Sequence, residues 1–549
     1  CEALDNKRCE GERGWQQCAD FVLPLLGRTN RTNQLISEST APLALERFAA
    51  ALGSVLAPRT MKWHSLSTGF PDLDQDPEIA RWLEIVRDIL FEHRYAPEAN
   101  FANQFVEGLF SLGCPGTAVI YIDERLGQGL RDQCIPVHEV YLAEDSAGRV
   151  DTVYRWYKLT ARQALAEFGE ELPEKIRQDA QDERLIDKEH EFIHAVFPRK
   201  DFQKSQCPAG SANLPFASVH VAKADGQVVR EKGYRPRPYA VAGSAVLPGD
   251  VSGRSPAMTG MPDIVQVNAM ARTFLRAAEK MVNPPLLLKD DVILTAFNLR
   301  AGSLNFGGLD EQGRPMAVPL EIRGSLPIGL EMIEQKRTVI NEAFYLNLFQ
   351  VLVEKPGDQT ATEVMERAQE KAQLLAPVMG RQHSELLGPI ILREVDILSA
   401  AGAFPPPPEK LREFKVSVMP RYETSLAQAL SSRDGQAILN ALSAVSGLAQ
   451  FDPLVTQMVD AQSAARVVWQ SAGAPLRVLK SEEDMEALVE QQQEAQAIEA
   501  ALSQGGQLAQ GLDAMAGAEE KMAKAATYAE GVRSSVCQSF EIQADQLGL

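Results

Sequence analysis

The segment His190-Glu191-Phe192-Ile193-His194 has the HExxH spacing of a zinc protease. That chemistry needs a helix, where one turn brings both imidazoles to a single zinc and leaves the glutamate as general base. The flanks say otherwise. Phe192, Ile193, Val196 and Phe197 are bulky strand formers, and Pro198 follows them. On a strand, residues four apart stand on one face but about 13 Å from each other, beyond the reach of one ion. The residues therefore predict a sheet strand over Glu189–Phe197 and no metal. A metalloprotease remains as an alternative only if this segment is a helix.

Gly253-Arg254-Ser255-Pro256-Ala257 approaches the GxSxG nucleophile elbow, with Ala257 in place of the second glycine. Pro256 also removes the amide that would help build an oxyanion hole. A turn leading into a helix accounts for these residues better than catalysis does. No GxxxxGK[ST] loop occurs, so the sequence offers no Walker-type nucleotide site. No catalytic residue and no cofactor is expected; the chain does not read as an enzyme.

Arg272, Arg276 and Lys280 recur at i, i+4 and i+8, a positive stripe on one helix face. Two readings stay open: a solvated face with salt bridges to a neighbour, or passing contact with a phosphate backbone. Between positions 261 and 352 charges of both signs nearly balance, and the 549-residue chain carries a net charge of −19. That argues against holding nucleic acid by neutralising phosphates. It does not exclude a wall that lets DNA slide past without sticking, because like charges repel.

These residues sit in a chain too long for one hydrophobic core, so several domains are expected. Hydrophobic residues at 45% and charged residues at 23% are ordinary globular values. Leu43, Leu45, Phe48, Ala51, Leu52 and Val55 give an apolar helix face that stops at Pro58, and helices follow near Pro77–His93 and Pro97–Leu112. From Gly116 the pattern turns to short β-branched and aromatic runs: Thr117–Ile122, Val137–Leu142 and Asp151–Leu159. A helical insert near Ala161–Asp182 precedes the strands Glu189–Phe197, Ala217–Lys223 and Gln227–Lys232, the last two joined by an Ala-Asp-Gly turn. The first half is thus α+β, with a largely antiparallel sheet.

Thr259 or Gly260 can cap a helix with Pro262 in its first turn and Asp263 beside it. Its apolar residues Ile264, Val267, Ala271, Phe274, Ala278 and Met281 form a narrow seam for side-by-side packing, and Asn283-Pro284-Pro285 ends it. Short strands over about Leu286–Pro327 lead to a second long helix, about Ile328–Leu352. The polar breaker Val353–Gln359 follows. Thr360 and Glu363 have capping-box spacing for a helix running to about Ala400, kinked by Pro377 and Pro389. Pro405–Pro408 stops it, Phe414–Met419 reads as a strand, and the remainder is helical, most regularly over Ser481–Leu502.

The cysteines Cys1, Cys9, Cys18, Cys114, Cys134, Cys207 and Cys537 form no CxxC or zinc-finger spacing and read as buried, reduced thiols. No apolar run reaches the ~18 residues a membrane span needs, and no signal-peptide pattern opens the chain. A soluble, intracellularly made protein is expected, with Cys in place of Met at position 1 read as a trimmed start.

Several motifs fall in an order that resembles the head–tail connector (portal) proteins of short-tailed DNA bacteriophages. Gly253-Arg254-Ser255-Pro256-Ala257-Met258, then Met261-Pro262-Asp263-Ile264, then Ala277 through Leu286 (AAEKMVNPPL) carry the likeness. So do Thr360-Ala361-Thr362-Glu363-Val364 and Leu386-Leu387-Gly388-Pro389, and near the start Ser39-Thr40-Ala41-Pro42, Leu56-Ala57-Pro58, Trp63 and Leu66. His194-Ala195-Val196-Phe197-Pro198-Arg199 is similar to a sheet strand of that family. The likeness covers roughly residues 30–425.

The resemblance implies a homo-oligomeric ring, a dodecamer, at one capsid vertex of the virion, assembled in the bacterial cytoplasm. It implies N-terminal helices and an α+β wing over 1–260, stem helices over 261–282 and 328–352, and a clip over 283–327 between them. A tunnel loop over 353–360, a kinked wing helix with a return strand over 361–424, and a helical crown or barrel over 425–549 complete it. Glu354, Lys355, Pro356, Gly357, Asp358 and Gln359 would then face the DNA. Arg272, Arg276, Lys280, Lys336 and Arg337 would line the channel or join subunits, and Lys289, Asp290, Asp291 and Arg300 would serve docking at the clip. Implied partners are double-stranded DNA, the terminase large subunit, the tail adaptor, and the major capsid and scaffolding proteins, with no membrane. Twelve helices about 10 Å wide, set side by side, bound a bore near ~28 Å. That admits a duplex whose major groove alone is about 12 Å wide. A helical adaptor or scaffold protein that does not surround DNA is the other reading, and a ring with a central hole in the microscope separates the two.

Overall fold

A computed structural model of the protein describes residues 2–23, 36–74, 76–125, 129–199, 214–288, 298, 303–304, 308–309, 312–320, 326–353, 373–414, 418–423, 425–448 and 460–471. The chain divides into two units, Cys1–Leu476 and Arg477–Leu549, and every described residue belongs to the first.

The first 113 residues are mainly helical. After α1 (Glu2–Val22), α2 (Thr40–Leu56) buries Leu45, Phe48 and Leu52, the stripe its spacing predicts. The one-turn α3 (Pro71–Asp74) leads to α4 (Pro77–Arg94), where Asp76 accepts a capping bond from the Glu78 amide and Pro77 takes the first turn. The next helix, α5 (Phe101–Gly113), starts four residues after the expected Pro97, because Asn100 takes a left-handed φ of 56°.

The sheet region is antiparallel throughout, as expected. Strands β4 (Val140–Glu144), β5 (Val150–Thr160), β6 (Glu189–Pro198), β7 (Phe216–Ala222) and β8 (Gln227–Tyr234) lie in sequence order. A second sheet has the order β3-β2-β9, from β2 (Thr117–Arg125), β3 (Gly129–Cys134) and β9 (Tyr239–Gly243). One face of the larger sheet is covered twice. Tyr157 and Phe192 pack under α6 (Ala161–Phe168) and α7 (Glu174–Gln181), which replace the single expected insert helix. Val153 and Val196 pack against Val119 and Tyr239 of the smaller sheet.

The long helices differ from expectation at their ends. Helix α8 (Pro256–Val282) begins ahead of Thr259, because Ser255 accepts from the Met258 amide and caps it. Pro262 therefore lies inside the helix rather than at its start. The strand pair β10 (Leu286–Leu288) and β11 (Ala317–Pro319) follows, and then α9 (Leu326–Ala343). The second helix is not continuous to residue 352. Tyr345 sits at φ 59° and breaks it, and α10 (Leu346–Val353) starts afresh.

Residues 373–382 are helical through Pro377, and the turn His383–Leu387 widens to a π-helix before α11 (Gly388–Ala400). Pro389 has no amide to donate, and the wider turn lies directly before it. The His383 carbonyl accepts from the Gly388 amide and, at 2.6 Å, from the Tyr422 hydroxyl. The strand expected at Phe414–Met419 is displaced. Residues Glu409–Phe414 form α12, and β12 (Met419–Tyr422) pairs with β1 (His64–Ser67) instead. Pro420 is tolerated because a two-stranded ladder leaves its nitrogen an open edge. Helices α13 (Ser425–Leu448) and α14 (Ala461–Ser471) follow, while Ser481–Leu502 lies outside the described residues.

Cys18 and Cys114 are buried and Cys134 is half-buried, all three as free thiols, and burial pushes Cys18 and Cys134 up to about 12. Among the described residues no helix is long and apolar enough to cross a membrane.

Candidate functional site

Helices α8 and α9 lie side by side, joined by small and apolar residues. Gly260 abuts Ala343, Gly329 faces the Phe274 ring, and Ile264, Val267, Ile333 and Ile340 are buried. Polar groups fasten the pair. Lys336 Nζ reaches Asp263 Oδ1 at 2.6 Å, and Arg337 pairs with Glu38 at 3.2 Å and Glu334 at 3.0 Å. Asn268, 3% exposed, accepts from the amides of Ser37 (2.8 Å) and Glu38 (3.1 Å) and donates to the Ile264 carbonyl. Residues 37 and 38 thus clasp both helices. Beside them runs a groove of about 590 Å³, lined by Phe274, Leu275, Leu330 and Arg337.

The root of α8 is a crossing of three glycines. A Cβ on Gly253 would stand 2.3 Å from the Gly116 carbonyl oxygen and 2.7 Å from Gly243 Cα, so no larger residue fits. The Gly253 amide donates to Thr117 Oγ1 at 2.9 Å, and the Ser244 amide to the Gly116 carbonyl at 2.8 Å. From the helix that widens at His383, Gln382 Nε2 donates to the Gly243 carbonyl, and Glu385 accepts from the Gly243 amide. The GRSPA segment is therefore a structural joint. Ser255 is spent as a helix cap, in agreement with rejecting it as a nucleophile.

Of the expected site residues, Arg272 is half-buried with its Nε 3.3 Å from Ser37 Oγ, while Arg276 and Lys280 are exposed. Lys336 and Arg337 are engaged within the chain. The loop residues Glu354, Lys355, Pro356, Gly357, Asp358 and Gln359 and the tip residues Lys289, Asp290, Asp291 and Arg300 lie outside the described residues. Sequence reasoning missed Asn268 and the glycine crossing. Asn268, a polar residue beside an otherwise apolar helix face, was the signal for the first.

The HExxH segment is strand β6. His194 is buried, with Nδ1 2.7 Å from the Tyr239 hydroxyl and Nε2 2.8 Å from Ser218 Oγ, and its ring stacks on His220 at 3.8 Å between centroids. His190 instead meets Asp179 at 3.1 Å. The two imidazoles of the motif have separate partners. Burial, then the neighbouring His220, holds His194 well below the usual imidazole range, and burial brings His220 down to about 3.

A second buried cluster surrounds Arg94. Its guanidinium holds Glu394 by two prongs and donates to His64 Nε2 at 2.7 Å, which leaves that imidazole neutral. Burial, then the Arg94 charge, keeps His64 well below its ordinary range. Asp132 is 3% exposed and neither carboxyl oxygen has a partner. Burial, then the charge of Glu394, raises Asp132 well above the usual carboxylate range, and burial raises Glu394 too, against the opposing pull of Arg94.

Residues 1–479 match the family of bacteriophage head to tail connecting proteins. The chain belongs to that family. Two relatives of this connector are the probable portal protein of Bordetella phage BPP-1 and the portal protein of Salmonella phage epsilon15. The first is 27% identical over 449 residues, covering 79% of this chain and 80% of that protein. The second is 24% identical over 521 residues, 92% of each. A chain from the virion of a native gene transfer agent particle superposes with a TM-score of 0.34 and 10% identity over 76% of this connector and 90% of that chain, too loose a likeness to argue from.

Proposed function

We propose that this connector is a portal subunit: copies form a ring at one capsid vertex through which double-stranded DNA enters during packaging and leaves at ejection. The observation that carries the reading is the family match over residues 1–479, joined by two portal-named relatives. The paired helices α8 and α9 fit the part of a stem, and the strands between them fit a clip at its end. The acidic balance of the chain, −19, suits a conduit that does not retain its cargo. No chemical step is assigned to the protein. A terminase motor supplies the work and docks at the clip first, and the tail adaptor takes its place later; capsid and scaffolding proteins surround the ring. In this reading Glu354, Lys355 and Asp358 face the DNA from the tunnel loop.

Negative-stain microscopy of the purified chain tests the proposal, with rings around a central hole expected. A strictly monomeric protein, or a pore narrower than a duplex, overturns it. Charge reversal of Glu354 and Asp358 is expected to change packaging or DNA retention while rings still form; unchanged packaging removes the loop from the mechanism.

A further inference from the structure

The α8–α9 pair has two outward edges, and they carry opposite charge. Gly260, Ile264, Val267, Ala271 and Phe274 mark the inner face of α8, while Gly329, Ile333, Ile340 and Ala343 mark that of α9. At about 100° per residue, the face of α8 turned away from α9 is Pro262, Ala269, Thr273, Arg276 and Lys280. The face of α9 turned away from α8 is Glu331, Gln335, Thr338 and Glu342. All nine are exposed. Among the described residues, Arg276, Lys280, Glu331 and Glu342 have no ion-pair partner within the chain.

Heights along the pair follow from the antiparallel contacts. Gly260 lies against Ala343 and Phe274 against Gly329, so the level of Glu331 falls at residue 272 of α8. Arg276 stands four residues beyond it, about 6 Å at ~1.5 Å per residue, within the span of an arginine side chain. Between the charges both edges are small or neutral. Thr273 and Thr338 already bond back to the carbonyls of Ala269 and Glu334, so they make no unmet polar demand on an approaching helix.

We infer that the outward face of α8 in one copy packs on the outward face of α9 in the next, with Arg276 answering Glu331. This rests on the portal reading above and names the partner of the positive stripe: a second copy of this chain, not the phosphate backbone. Because the two faces occupy opposite edges of one helix pair, the contact is head-to-tail, and successive copies either close into a ring or run on as a filament. Opposite charge also guides the encounter and fixes its register.

The test is assembly of the full chain, measured by analytical ultracentrifugation and negative-stain microscopy across protein concentration. Arg276→Glu and Glu331→Arg are each expected to raise the concentration needed for assembly at least tenfold, and the combined chain R276E/E331R to restore it. The milder Arg276→Gln, with its unfolding midpoint checked against the parent, separates a lost contact from a lost fold. Single variants that assemble like the parent, or a folded double variant that does not recover, overturn the inference. Rings of Arg276→Glu that form normally but release DNA assign the stripe to the phosphate backbone instead. A parent chain that never closes into rings refutes the portal reading itself, a distinct result.

Discussion

Arg94 on α4 and Glu394 on α11, 300 positions apart, meet as a two-pronged ion pair in which neither side chain reaches solvent. Nε of Arg94 lies 3.0 and 2.9 Å from the two carboxylate oxygens, and the guanidinium carbon stands 4.8 Å from the Trp63 ring centre and 5.1 Å from that of Phe91. The pair ties the N-terminal helices to the helix after the π-turn. Removing one partner strands a buried charge, so Arg94→Met or Glu394→Leu alone is expected to cost about 3–5 kcal/mol, and the double change to recover most of it. Denaturant midpoints of the four proteins check this.

Asp132, close by, works against the fold at neutral pH. Its folded carboxyl keeps a proton that the unfolded chain gives up above about pH 4. Stability therefore falls as pH rises from there toward the raised folded value, by about 1.4 kcal/mol for each pH unit between the two ionisations. Asp132→Asn removes that dependence. The variant is expected to unfold at a higher temperature than the parent at pH 7 and to lose the advantage below about pH 4.

The His194–His220 stack has the opposite sign. In the fold His220 titrates at about 3, against an ordinary imidazole value near 6.5. Its contribution is complete above about pH 6.5 and is lost as pH falls toward 3, amounting to about 2 kcal/mol by pH 5. His220→Phe keeps a flat ring in the stack and cannot charge. Its stability is expected to vary less between pH 7 and 4 than that of the parent, whatever its absolute value; an equal slope would show that other groups carry the acid sensitivity.

Gly253 and Gly380 separate the two uses of glycine. Nothing lies within 4 Å of a Cβ on Gly380, which sits in a helix, so Gly380→Ala is expected to stabilise by about 1 kcal/mol. Gly253→Ala drives a methyl into two backbones and is expected to abolish soluble, folded protein or lower its thermal midpoint by well over 10 °C, since overpacking here has no side chain to displace. Thermal melts of both variants decide the point.

Much of this architecture was legible in residue spacing. Phe192, Ile193 and Val196 marked β6 as a strand against the pull of the HExxH motif, and the seam from Ile264 to Phe274 marked the face that α8 presents to α9. The break at Tyr345 was not legible, because Ile340, Phe344 and Leu348 keep helical spacing straight across it. Nor was the pairing of β1 with β12. His64, Ser65 and Ser67 show no apolar alternation, and the partner strand lies more than 300 positions away. At the site, the positive stripe could be read from the sequence, but its neighbours could not. The clasp of Ser37, Glu38, Asn268 and Arg337 and the glycine crossing are meetings of distant segments, and local pattern carries no record of them.

The crossing at Gly116, Gly243 and Gly253 has a mechanical consequence. Where Gly253 meets the Gly116 carbonyl and Gly243 Cα, backbone rests directly on backbone, with little there to compress at the base of α8. A force along that rod is delivered to the sheet through Thr117 and to the helix bearing the π-turn through Gln382 and Glu385. The base behaves as a welded bracket, so tilting the rod must tilt the platform that carries it.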